Sequence, residues 1–170
     1  MDVSALREPK PIRLGRSVHL NVLLAANRAN EAVDRICADA GITHAQYVAL
    51  WNLCLGDHAD TGLPVGELAD GLINRAADAT RLVDRMVRAG LAERLANPDD
   101  RRSVLVRATA DGRAAFEAAT PELQCFHQQQ WAALTDDELR TLDRLLARAL
   151  WADAADTTSD ESGDAVRDAG

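Results

Sequence analysis

Between Leu63 and Thr109 the apolar positions change period, from one helical repeat to a second and then to alternation. In Leu63–Leu72 (LPVGELADGL), Val65, Leu68, Ala69 and Leu72 recur at i, i+3, i+4 and i+7, which places one apolar stripe on a short helix. Pro64 can open that helix at its first position. A second helix is predicted over Arg75–Ala89. Ala79, Leu82, Val83, Met86 and Val87 form its apolar side, and Arg75, Asp78, Arg81, Arg85 and Arg88 fall mostly opposite. Gly90 stands where a left-handed residue closes a helix. Leu91–Leu95 and Ser103–Arg107 have strand length, with Val104 and Val106 alternating against Ser103 and Arg107. Between them, Asn97, Pro98, Asp99 and Asp100 are turn formers, so the pair reads as a hairpin whose tip carries Arg101 and Arg102.

Longer helical patterns flank this core. Leu14, Val18, Val22, Ala25, Ala29, Val33 and Ile36 mark a seam within Ile12–Ala40, and Leu20, Leu23 and Leu24 open a second apolar face. Thr43 with Gln46 is a capping box for a helix reaching about Leu55, which presents Tyr47, Leu50, Trp51 and Cys54. Thr109 caps a helix beginning near Ala110. Pro121 is expected to kink or restart it, with Thr120 as the new cap. Thr135 and Glu138 form a second capping box, followed by a seam of Leu142, Leu145, Leu146, Ala149 and Leu150 that ends at Trp151. The terminal helices carry more apolar face than one small core can cover, so a homodimer formed through the first helix and the last two is expected.

The expected fold class is mostly α with a small β-hairpin wing. Residues 43–109 would be a winged helix-turn-helix DNA-binding domain, 12–40 and 110–151 a helical dimerisation region, and 152–170 a disordered acidic tail. A helix exposing arginines beside an arginine-tipped hairpin suits double-stranded DNA: the helix fits the major groove and a guanidinium can enter the narrower minor groove.

The blocks ELAD, TRLVDRMVRAGLAER and NPDDRRSVLVRATADGR resemble those of MarR-type transcriptional regulators, and the element order agrees over roughly Arg13–Trp151. The resemblance implies a dimeric winged-helix regulator, usually a repressor, often released from DNA by a small aromatic ligand or by oxidation. It places Arg75, Ala76, Asp78, Thr80, Arg81 and Arg85 at the major groove. Asp100, Arg101 and Arg102 would form the wing tip, with Arg102 braced by Asp100 and reaching the minor groove. Two reading helices of a dimer would lie about 34–36 Å apart, matching an inverted-repeat operator. Asp78 would be repelled by phosphate unless it accepts from a cytosine amino group. That feature and the acidic balance keep open a second reading, a winged-helix interaction module that no longer reads DNA.

The formal net charge is −8 over 170 residues. Its distribution matters more than its sum. Residues 152–170 hold six carboxylates against Arg167, whereas residues 71–107 hold eight arginines against five carboxylates. Local charge is what meets phosphate, so acidity elsewhere does not veto binding.

Nothing in the chain pairs a nucleophile with a base, and no nucleotide-binding glycine loop, HExxH or GxSxG motif occurs, so no enzyme, cofactor or metal is expected. Cys54 and His58 lie one helical turn apart but lack a second His or Cys nearby. Cys37, Cys54 and Cys125 are read as reduced, small core residues. No apolar run is long enough to span a bilayer and no secretory leader is evident, which makes a cytoplasmic location the expectation. Arg16 and His19 share a face of the first helix, and Tyr47 and Trp51 share one on the second. The two aromatics read either as core or as the wall of an effector pocket, where Arg16 and His19 would receive an anionic partner such as an aromatic carboxylate or phenolate.

Overall fold

The computed structural model describes residues 10–56, 58–70, 77–98, 100 and 102–156. In chain order the elements are α1 (Lys10–Asp39), α2 (His44–Cys54), β1 (Leu63–Pro64), α3 (Val65–Asp70), α4 (Ala77–Arg88), β2 (Ala92–Ala96), β3 (Val104–Ala108), α5 (Ala110–Gln130) and α6 (Asp136–Asp156). The chain divides into two compact units, Met1–Phe126 and His127–Gly170.

Local signals account for most helix boundaries. Thr43 accepts from the Gln46 amide at 3.3 Å while the Gln46 side chain accepts from the Thr43 amide at 2.8 Å, so the capping box is complete. Thr109 accepts from the Gly112 amide at 3.0 Å and opens α5. In the second unit, Glu138 accepts from the Thr135 amide at 2.8 Å and from its hydroxyl at 2.9 Å. These bonds favour the ionised carboxylate and lower its pKa. Gly90 has φ 73° and ends α4, with Leu91 donating to Met86 O at 2.9 Å and Gly90 to Val87 O at 3.1 Å. Those two bonds are the paired closure of a Schellman motif.

The sheet is antiparallel in the order β1-β3-β2. β2 and β3 pair from Ala92↔Ala108 to Ala96↔Val104, one residue later at each strand than the alternation predicts. β1 departs further from expectation. Leu63 and Pro64 do not begin a helix; they pair with Val106 and Leu105, and α3 starts at Val65. Two residues are too few for a period to be read, and proline is tolerated on this edge strand because it lacks only a donor.

The core of the first unit joins all its helices. Leu50, Leu53, Leu68, Val83, Met86, Val106, Cys37 and Leu123 are fully buried, and Val33, Ile36, Phe116 and Ala119 belong to the same cluster. The seam of α1 therefore has two fates. Val33 and Ile36 are buried, whereas Leu14, Val18 and Val22 are 67, 53 and 44% exposed, with Leu20, Leu23 and Leu24 alongside. Of the cysteines, Cys37 is buried and Cys54 half-buried, but Cys125 is exposed and is not a core residue.

Pro121 does not restart α5. The helix runs through it, and the Thr120 hydroxyl donates to Phe116 O at 2.7 Å, one turn back, rather than capping a new helix. That hydroxyl also lies 3.2 Å from the Tyr47 hydroxyl, so packing against α2 holds the segment helical where local rules favour a break. Near the start of α5, a Cβ on Gly112 would stand 2.0 Å from Leu91 O. Glycine is needed there so that the helix can approach the turn after α4.

Candidate nucleic-acid interface

The candidate reading surface lies on α4 and the β2–β3 hairpin. On α4, Ala79, Leu82, Val83 and Met86 are buried, which leaves Thr80, Arg81 and Arg85 exposed on the other side. Arg75, Ala76 and Arg101 lie outside the described residues. Asp78 falls within α4, and its side chain is also outside them.

The wing tip is organised by backbone bonds. The Asp100 carboxylate accepts from the Arg102 amide at 2.9 Å, and Asp100 O accepts from the Ser103 amide at 3.0 Å. Asn97 donates to the Ser103 hydroxyl at 2.6 Å and ties the two sides of the turn. Asp100 thus braces Arg102 through its backbone, by a local side-chain turn of the kind aspartate favours. The Arg102 side chain is exposed. Among the described residues, Arg81, Arg85 and Arg102 have no carboxylate partner.

Other arginines in or near the positive patch are committed elsewhere. Arg94 of β2 meets Asp84 of α4 at 2.8 Å and joins the reading helix to the wing. Arg107 directs Nε and Nη2 to Glu93, its cross-strand partner, at 3.0 and 2.8 Å, and Nη1 to Asp60 O at 2.9 Å. Arg113 of α5 donates to Ala59 O and lies 3.7 Å from the Asp60 carboxylate. Arg88 returns to Asp84 O at 3.1 Å. Arg107 and Arg113 therefore clasp the loop between α2 and β1 from the sheet and from α5. Periodicity cannot reveal such a clasp, since the partners stand 47 and 54 positions apart. The Glu93–Arg107 pair is different: it follows once the hairpin register is known.

At the four residues considered for an effector, the structure separates two groups. Tyr47 is buried, stacks on Phe116 with ring centroids 5.3 Å apart, and has its hydroxyl satisfied by Thr120. Burial raises its phenol pKa. Trp51 meets Phe116 edge-on at 6.0 Å but is 45% exposed. Arg16 and His19 are exposed on α1.

A helix pair, a three-stranded sheet and an arginine-bearing hairpin on one packed core define a winged helix-turn-helix protein. The sequence profile of the MarR family matches residues 42–104. The chain belongs to the MarR family of transcriptional regulators, being 35% identical to the multiple antibiotic resistance protein MarR of Escherichia coli K12 across 82% of this chain and 92% of that protein. It is also 26% identical to the transcriptional repressor MprA of the same organism, over 78% of this chain and 72% of that protein. A mutant MarR from Escherichia coli complexed with operator DNA shares the fold with a TM-score of 0.67 and 32% identity, covering 83% of this chain and 96% of that one.

Proposed function

We propose that this chain is a sequence-specific regulator that binds double-stranded DNA as a homodimer and represses transcription by occluding an inverted-repeat operator. The observation that carries the reading is the set of exposed arginines on α4 and the wing that have no carboxylate partner among the described residues, in a chain related to a protein crystallised with operator DNA. Arg81 and Arg85, with Arg75, Ala76, Asp78 and Thr80 on the same segment, would meet the major groove, and Arg101 and Arg102 the minor groove.

Exposed Leu14, Val18 and Leu24 on α1 and, separately, Leu145, Leu150 and Trp151 on α6 support dimerisation, since an apolar stripe left open along a helix is ordinarily covered in water. Assignment of 12–40 and 110–151 to dimerisation follows from the same argument, and 43–109 would read DNA; α6 continues to Asp156, into the expected tail, and residues 157–170 lie outside the described residues. An aromatic or anionic effector would be received beside Arg16, His19 and the exposed edge of Trp51. Tyr47 contributes to packing, because its ring and hydroxyl are already engaged.

Selection of bound sequences from random duplexes tests the proposal. The expected result is an enriched inverted repeat with half-sites about one helical turn apart. No enrichment would leave the interaction-module reading in its place.

A further inference from the structure

The outer face of the sheet breaks the alternation expected of it. Leu105 is the register partner of both Pro64 and Leu95, so one apolar row crosses all three strands on the side opposite buried Val106 and Ala108. An antiparallel sheet packed on one side ordinarily carries polar residues on the other. Here the half-buried row floors a cleft of about 550 Å³ bounded by His58 and Asp60 of the α2–β1 loop and Glu67 of α3. That volume falls within the range of small-molecule sites.

Charge selects among occupants. Arg107 reaches the cleft, but its guanidinium is held by Glu93 and by Asp60 O. The Asp60 carboxylate faces Arg113 at 3.7 Å, and Glu67 faces no cation among the described residues. Among the described residues the rim therefore leaves one carboxylate, that of Glu67, unbalanced, which disfavours an anion there and attracts a positive group. We propose that this cleft binds a small organic cation, with an ammonium or amidinium head at Glu67 and an apolar body lying on Pro64, Leu105 and Leu95. Such a ligand would touch the α2–β1 loop, α3 and both wing strands at once. The site is separate from the anionic-effector position, and its existence does not depend on DNA binding.

Titrating the full chain with 2-phenylethylammonium, and separately with phenylacetate as a probe of similar shape and opposite charge, tests this by amide chemical shifts. Saturable shifts at Thr61, Glu67, Leu95 and Leu105 with the cation, and none there with the anion, are expected. Glu67→Gln should weaken the cation roughly three- to tenfold, as befits one charge-assisted contact, and Leu95→Asn should weaken it while preserving the dispersed spectrum. Equal binding of the anion, saturation centred elsewhere, or unchanged affinity in both folded variants would overturn the proposal.

Discussion

Arg94 of the wing and Asp84 of the reading helix stand 2.8 Å apart. Both side chains are substantially exposed, so the pair contributes about 1 kcal/mol or less to folding. It links the wing strand to α4 and so favours one orientation of the wing relative to that helix. Arg94→Met should leave the melting temperature nearly unchanged and lower DNA affinity without changing the salt slope. A reduced slope in titrations at several salt concentrations would show instead that Arg94 meets phosphate.

Arg102 should behave in the opposite way. Its guanidinium is exposed at a tip held by Asp100 and Ser103. Arg102→Ala should weaken binding across operator variants and reduce the slope of log K against log salt by about 1 for one lost phosphate contact. An unaltered slope with unaltered affinity would remove the wing from the interface.

Gly112→Ala should destabilise the first unit, since the new Cβ would meet Leu91 O at 2.0 Å and neither backbone can retreat without disturbing the Schellman turn or the Thr109 cap. A loss of about 1–3 kcal/mol is expected for an overpacked site. Chemical denaturation measures it directly, and an unchanged midpoint would show that α5 can shift outward freely.

Leu150→Asp is expected to abolish the proposed homodimer, because Leu150 is 72% exposed in the single chain and adjoins Trp151 at 66%. Sedimentation equilibrium distinguishes the states. A well-folded dimer in this variant would assign the interface to other residues.

The thiols should react in order of burial. Exposed Cys125 should be alkylated first and Cys37 last, with Cys54 between them. Burial raises the thiol pKa of both Cys37 and Cys54, which further reduces their thiolate at neutral pH. Mass spectrometry of a timed iodoacetamide reaction reads this order, and rapid labelling of Cys37 would indicate local opening of the core.

Local chemistry in the chain already determined much of this protein. Threonine with glutamine or glutamate three residues on marks a capping box, Gly90 marks a stop, and the apolar stripe of α4 separates its buried side from Arg81 and Arg85, because each depends on residues within two turns of one another. The wing was legible for the same reason, as was the family resemblance, apart from a one-residue shift that strand alternation does not specify at its ends. Only tertiary structure could decide what depends on distant partners. The brevity of β1 hid its pairing with β3, Tyr47 and Thr120 hold α5 continuous across Pro121, and Gly112 is required by a carbonyl of the preceding turn. The arginines show the difference most clearly: in sequence all eight between residues 71 and 107 carry the same charge, but packing commits Arg94 and Arg107 to carboxylates and leaves Arg81, Arg85 and Arg102 without one among the described residues.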